Sequence, residues 1–268
     1  MQIVFVGGGN MATALIGGML RQGFAADEIS VMEPDAAKRD QLQQEFGVKT
    51  LASVPNSASF DVVLLAVKPQ QMKAVAQEWA GVAAKALVIS IAAGIRTDSL
   101  SGWLGGHQRI VRVMPNTPAL VQAGVSGLFA DSGVSAADRA AADKVLRTVG
   151  EVVWVDTEAK IDAVTAISGS GPAYVFLLLE LLEQAGTELG LPAALSRKLA
   201  LATVEGSARL ASASSDEPAT LRRQVTSPGG TTEKALQSFN DADLAGIVLR
   251  ALTAARDRGR ELAAQVPY

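Results

Sequence analysis

The run Gly7-Gly8-Gly9-Asn10-Met11-Ala12 follows the apolar residues Ile3-Val4-Phe5-Val6. It opens a stretch in which Met11, Leu15, Ile16, Met19 and Leu20 share one helical face. Gly7 permits a tight turn, Gly9 lets backbone approach a pyrophosphate, and small Ala12 lets the helix pack closely on the strand. The helix N-terminus would offer N–H groups and positive partial charge to the phosphates. Strand, glycine turn and helix in this order predict a dinucleotide site.

Other residues could complete such a site. Glu33 lies 21 residues beyond Ala12, near the ~20 expected for an acid on the adenosine ribose. A carboxylate there favours the free 2′-hydroxyl of NAD, whereas Lys38 and Arg39 point towards the 2′-phosphate of NADP. Glu33-Pro34-Asp35 also reads as a cap for the next helix, so the coenzyme choice stays open. Ala66-Val67-Lys68-Pro69 and Met114-Pro115-Asn116-Thr117-Pro118 each follow an apolar run, where ligands of open α/β sheets bind. The prolines of the second loop are expected to expose Asn116, whose amide both donates and accepts, as nicotinamide recognition needs. Either loop also reads as simple punctuation. Far along the chain, Ser227-Pro228-Gly229-Gly230-Thr231-Thr232-Glu233 places two glycines and several hydroxyls before a helix. That is an anion nest suited to a carboxylate, or a capped helix with Thr231 or Thr232 as cap and Glu233 in the first turn. His107, the sole histidine, sits in a polar loop and is expected to be exposed there.

These residues need a scaffold, and the pattern supplies two. Apolar runs at 3–6, 29–32, 62–66, 87–91, 110–114, 124–130 and 152–155 read as strands. Helical patterns at 11–20, 36–46, 70–79 and 136–149 lie between them. Continuous Val/Ile/Leu strands alternating with helices predict an α/β, doubly wound parallel sheet over residues 1–157. Beyond that the strand signals stop. Helices are expected at 172–189, 195–211, 219–225, 231–239 and 244–264, an all-helical second domain over 158–268. Its stretch 174–179 is wholly apolar, which predicts burial against a second subunit, the alternative being a central helix within one domain.

Hydrophobic residues make up 49 % of the 268 and charged residues 19 %, enough for a well-filled core. A net charge of −3 with no Lys/Arg cluster excludes a nucleic-acid footprint. No cysteine is present, so disulfides, thiolate catalysis and Cys-ligated zinc are ruled out and no metal site is expected. The first residues lack the basic region of a signal peptide, and no apolar stretch approaches the ~18 residues of a membrane span. A cytoplasmic protein is expected.

Taken together, FVGGGNMATALIGGML, LLAVKPQ, VRVMPNTPALVQAGVSG, DAVTAISGSGPAYVF and RRQVTSPGGTTEKAL resemble the pyrroline-5-carboxylate reductase family, in the family's order. The resemblance implies a Rossmann-type domain followed by a helical dimerisation domain, with dimers able to build rings such as decamers. It implies hydride transfer from NADPH or NADH to (S)-1-pyrroline-5-carboxylate, giving L-proline in the last step of proline biosynthesis. By position it places Gly7, Gly8, Gly9, Asn10 and Met11 at the pyrophosphate. Ala66, Val67, Lys68, Pro69, Ala92 and Ala93 would line the coenzyme, with Asn116 near the nicotinamide. Ser227, Gly230, Thr231 and Thr232 would surround the substrate, mostly from the helices of the second subunit, and Thr232 would hydrogen-bond its ring nitrogen as the catalytic residue. Glu33 stands where the family more often carries a small polar or basic residue, and Ser53 where an Asn near the adenosine is common.

Two other classes fit the residues less well. A hydroxyacid dehydrogenase needs a helical lysine with an Asn one turn later, and none of Lys160, Lys198 and Lys234 has one. A non-catalytic dinucleotide sensor needs no second small-acid site, which the segment around Gly229 and Gly230 supplies.

Overall fold

The structure is a computed structural model that describes residues 1–55 and 58–264. The chain divides into two compact units: Met1–Ser170 with Ala254–Tyr268, and Gly171–Thr253.

The first unit contains β1 (Ile3–Val6), α1 (Asn10–Arg21), β2 (Ile29–Met32), α2 (Ala36–Phe46), β3 (Lys49–Leu51), β4 (Val62–Leu65) and α3 (Pro69–Ala83). It continues through β5 (Leu87–Ser90), α4 (Thr97–Trp103), β6 (Ile110–Met114), β7 (Gly124–Ala130), α5 (Ala136–Leu146), β8 (Gly150–Trp154) and α6 (Lys160–Val164). Strands lie in the order β3-β2-β1-β4-β5-β6-β7-β8. The chain winds outward in one direction from β1 and in the other from β4, so a crevice opens where the winding reverses.

Alternation along β1 shows why both faces are covered. Ile3 and Phe5 join Leu15, Ile16 and Met19 of α1 and Val145 and Leu146 of α5 in one core. Val4 and Val6 join Met72 and Trp79 of α3 and Leu100 and Trp103 of α4 in the other. Successive side chains of a strand point to opposite faces, so four apolar residues in a row belong to a strand buried on both sides.

The sequence pattern predicts a parallel sheet, but the sheet is mixed. β7 pairs with β6 antiparallel, and β8 follows β7 in the same direction. The connection from Met114 to Gly124 has too few residues for a crossover helix, and a parallel return needs a dozen or more. A 3₁₀ turn over Thr117–Val121 fills it instead. The short elements β3, α4 and α6 lie where no strand or helix was expected.

In the second unit, α7 (Gly171–Glu188), α8 (Ala193–Ala213), α9 (Pro218–Gln224) and α10 (Thr231–Asp241) precede the first half of α11 (Leu244–Ala264). Gly190, at φ +96°, and Pro192 turn the chain between α7 and α8. Arg197 Nε reaches Glu183 Oε2 at 2.9 Å across the pair. Only Ser196 and Ala200 of this unit are buried, while Phe176 is 63 % and Leu177 54 % exposed. Apolar exposure on this scale marks an interaction surface. The helical run Lys160–Glu188 is also long and apolar enough, by length and composition, to cross a bilayer. The expectation that no stretch approaches such a span is corrected here, because α6 and α7 join through a π-helical turn, Thr165–Gly169.

Candidate active site

The glycine turn needs glycine at Gly7. Its φ is +103°, and a Cβ there would lie 2.9 Å from Ala66 O and 3.2 Å from Val67 Cγ1. Gly7 N donates to Met32 O at 2.8 Å, so the ends of β1, β2 and β4 meet at this residue. Gly9 is the N-cap of α1, and a Cβ on it would meet nothing within 4 Å. No side chain caps α1, and Asn10 is exposed with Met11 half-buried. Unclaimed first-turn N–H groups facing open space, at the positive end of a twelve-residue helix, form an anion cradle. This donor set fits a pyrophosphate.

The other expected coenzyme residues fall along the same carboxyl edge of the parallel strands. Glu33 follows β2, Ser53 follows β3, Ala66 to Pro69 follow β4, and Ala92 and Ala93 follow β5. Glu33 is 9 % exposed. Its Oε2 accepts from Gly8 N at 3.1 Å and its Oε1 from Asp35 N at 3.2 Å. The cap of α2 is Asp35, which accepts from Lys38 N. Glu33 N donates to Leu51 O at 3.0 Å, drawing β3 and the exposed Ser53 alongside. Lys68, exposed, is the N-cap of α3, with Pro69 in its first turn. Ala93 is exposed, whereas Ala92 is buried.

Asn116 differs from expectation. It is 9 % exposed rather than displayed by its prolines. Its Nδ2 donates to Ser168 O at 3.2 Å, and its Oδ1 accepts from Val125 N at 2.9 Å. The carbonyl of the π-helical turn and the first residues of β7 are thus tied to the loop after β6. A π-turn frees carbonyls from the regular helical ladder, and Asn116 takes one of them. His107 is likewise corrected: its Nε2 lies 3.0 Å from Ala86 O and the ring is half-buried. Burial pushes its pKa down. It lies before β5 and β6, at the opposite edge of the sheet from the glycine turn.

A buried ionic cluster was not foreseen. Arg112, 3 % exposed, pairs through Nη1 with Glu158 Oε1 at 3.0 Å and lies 3.7 Å from Asp162 Oδ1. Glu158 also accepts from Thr97 N at 2.8 Å, and Asp162 Oδ2 lies 3.5 Å from Arg260 Nε on α11. One arginine inside the otherwise apolar Ile110-Val111-Arg112-Val113-Met114 was the available signal, since an unpaired charge cannot stay in such a strand. Its acidic partners stand 46 and 50 residues further on, beyond any local pattern.

In the helical unit, α10 begins after Gly229, at φ +71°, and Gly230 is its N-cap without a side-chain cap. Neither Thr231 nor Thr232 caps it, and Glu233 Oε2 turns back to accept from Gly229 N at 2.8 Å. Ser227 and Thr231 are exposed, with Thr232 and Gly230 half-buried. Gly230 N donates to Ser227 O at 3.0 Å, folding the segment into a tight turn. An uncapped helix start lined by three hydroxyls can receive a small carboxylate and offer a hydroxyl to a neighbouring atom.

Comparison with known proteins bears on both segments. A family model described as pyrroline-5-carboxylate reductase dimerisation matches residues 158–262. One described as NADP oxidoreductase, coenzyme F420-dependent, matches residues 2–94. The pyrroline-5-carboxylate reductase of Pseudomonas aeruginosa is 48 % identical over 99 % of this chain and 98 % of its own. That of Escherichia coli is 35 % identical over 97 % and 98 %. Among solved structures, the Coxiella burnetii pyrroline-5-carboxylate reductase superposes with a TM-score of 0.92 at 41 % identity, covering 98 % of each chain. The Plasmodium falciparum pyrroline carboxylate reductase, solved with NADP bound, gives 0.84 at 28 % identity, covering 98 % of each chain. With likeness of this extent joining the glycine turn to the uncapped helix in one sequence, the chain belongs to the pyrroline-5-carboxylate reductase family.

Proposed function

We propose that this chain reduces (S)-1-pyrroline-5-carboxylate to L-proline with NADPH or NADH, the last step of proline biosynthesis. The observation that carries the reading is the 48 % identity to the Pseudomonas aeruginosa reductase over 99 % of the chain, through both motif segments. When bound, the reduced nicotinamide supplies a hydride from its C4 to the imine carbon.

The protein's task is then to hold two rings in register. Gly7, Gly8, Gly9, Asn10 and Met11 hold the pyrophosphate at the start of α1. Glu33 and Ser53 flank the adenosine end, and Ala66, Val67, Lys68, Pro69, Ala92 and Ala93 line the path towards the nicotinamide. Asn116 positions the loop at that end. Ser227, Gly230 and Thr231 receive the substrate carboxylate, and the Thr232 hydroxyl hydrogen-bonds the ring nitrogen. An imine that enters protonated is already electrophilic, and hydride addition converts it directly to the neutral ring amine, so no strong acid side chain is required. His107, at the far edge, takes no part.

Residues 1–157 serve the coenzyme, and 158–268 serve dimerisation and substrate. The exposed apolar face of α7 is the homodimer contact, and dimers of this kind can build decamers. Neither nucleic acid nor membrane is a partner, and the cytoplasm is its place of work. Mixing the protein with pyrroline-5-carboxylate and each reduced coenzyme, while following absorbance at about 340 nm, tests the reaction. Absorbance should fall. Unchanged absorbance with both coenzymes, from folded protein, would overturn the proposal.

A further inference from the structure

The structure assigns coenzyme choice to Glu33: we infer that this reductase selects the coenzyme lacking the 2′-phosphate, NADH over NADPH. The inference rests on the dinucleotide-binding part of the preceding proposal and goes beyond it in naming the coenzyme and the residue that selects it.

Position comes first. Glu33 ends β2, next to β1 in the sheet, and Gly7 N donates to Met32 O at 2.8 Å. The carboxylate is therefore built against the glycine turn. In this fold the acid at the end of the second strand meets the adenosine ribose, accepting from its hydroxyls.

The carboxylate is also held in place. It is 9 % exposed and fixed by two backbone donors, Gly8 N at 3.1 Å and Asp35 N at 3.2 Å. Moving it aside for a phosphate would strand both donors. A carboxylate has about four lone-pair sites and these bonds use two, which leaves capacity for a ribose hydroxyl.

Neighbouring cations do not reverse this. Arg39 Nη1 is committed to two backbone carbonyls, Glu33 O at 2.8 Å and Pro34 O at 2.7 Å. That anchors α2 to the strand end and limits its reach towards a ligand. Lys38 is exposed, and a single solvated cation contributes little. Asp35 adds a further negative charge beside it, accepting from Lys38 N as helix cap. Against a doubly charged phosphate, one fixed carboxylate a few ångströms away costs about tenfold in affinity even with water-like screening, and more where partly buried.

Equilibrium binding of NAD⁺ and NADP⁺, followed by calorimetry on the intact protein, reads the choice without turnover. ADP and adenosine 2′,5′-bisphosphate serve as fragments that isolate the adenosine end. The wild type should bind NAD⁺ at least about tenfold more tightly than NADP⁺, and ADP more tightly than the bisphosphate by a similar factor. Glu33→Ser, and the isosteric Glu33→Gln that keeps an acceptor, should bring both ratios down about tenfold, chiefly by improving NADP⁺ and bisphosphate binding. A wild type that binds NADP⁺ as well as NAD⁺, or ratios unmoved in a folded Glu33→Gln protein, overturns the inference and leaves the reductase proposal standing. Failure to bind any dinucleotide would instead overturn both.

Discussion

Asn116 offers the sharpest test of what the structure adds to the motif. A residue displayed to the nicotinamide would lose coenzyme affinity on truncation and leave the fold alone. A strut would do the reverse. In Asn116→Ala two bonds vanish together, the 3.2 Å donation to Ser168 O and the 2.9 Å acceptance from Val125 N. At about 0.5–1.5 kcal/mol net for each, the loss is about 1–3 kcal/mol. Both orphaned groups lie on residues that are only half-buried, so water softens the penalty and the lower half of that range is expected. A chain of this size loses about 2–4 °C of Tm per kcal/mol, giving a drop of about 2–8 °C in a thermal melt. Asn116→Asp sharpens the contrast. It keeps the acceptor for Val125 N–H but turns a carboxylate oxygen towards the Ser168 carbonyl, so it should melt lower than the alanine variant at neutral pH. Protonation restores a donor at that oxygen, and the gap between the two variants should narrow as pH falls towards the carboxylate range. The measurement is melting temperature across pH for all three proteins, with coenzyme binding measured alongside. An unchanged melt for Asn116→Ala with a large loss of coenzyme affinity would refute the strut.

Gly7→Ala forces φ +103° on a residue with a Cβ and drives that atom to 2.9 Å from Ala66 O; it should cost about 1–3 kcal/mol in a melt and weaken NAD⁺ binding measurably by calorimetry. His107 has its pKa lowered by burial, so the unfolded chain holds the extra proton between the depressed folded value and about 6.5. Stability should therefore be full above about pH 6.5 and fall with pH below it, and His107→Gln should flatten that part of a urea-denaturation profile. Thr232→Ala should lower kcat/KM by about 2- to 12-fold, one neutral hydrogen bond, with coenzyme binding unchanged; no kinetic effect would remove Thr232 from the reaction. Phe176→Glu puts a charge on a side chain 63 % exposed in the single chain; light scattering should show smaller assemblies, and an unchanged mass would argue against α7 as the contact.

Much of the candidate site was legible because its geometry depends on backbone conformation. A turn that requires φ near +103° admits little besides glycine, so Gly7 announces itself, and the spacing to Glu33 follows from one strand-helix-strand unit. Bonds that reach across the fold leave no such trace. That Glu33 accepts from Gly8 and Asp35, or Asn116 from Val125, follows from packing rather than from a pattern of neighbours. Strand direction was equally hidden: the apolar run Gly124–Ala130 reads the same in either sense, and the nine residues before it decide the matter. Short elements escaped for a simpler reason. β3 has three residues, one of them Lys49, and α4 is built from Thr97, Asp98, Ser99 and Ser101 among few apolar positions.

The helical unit shows the opposite case, where composition carried more than the single chain displays. Tyr174 to Leu179 are apolar on every side of α7, and in one chain they remain largely exposed. An isolated helix pair does not bury a run like that, and the first unit already has two filled cores of its own. Exposure on this scale supports the proposed contact with a second copy. The dimerisation model that matches 158–262 covers the same helices. It also covers the uncapped start of α10, so the proposed substrate segment and the proposed subunit contact lie in one module. If that module folds only as the subunits join, substrate binding should depend on protein concentration in step with assembly, whereas dinucleotide binding at the glycine turn, supported by its own sheet and cores, should not.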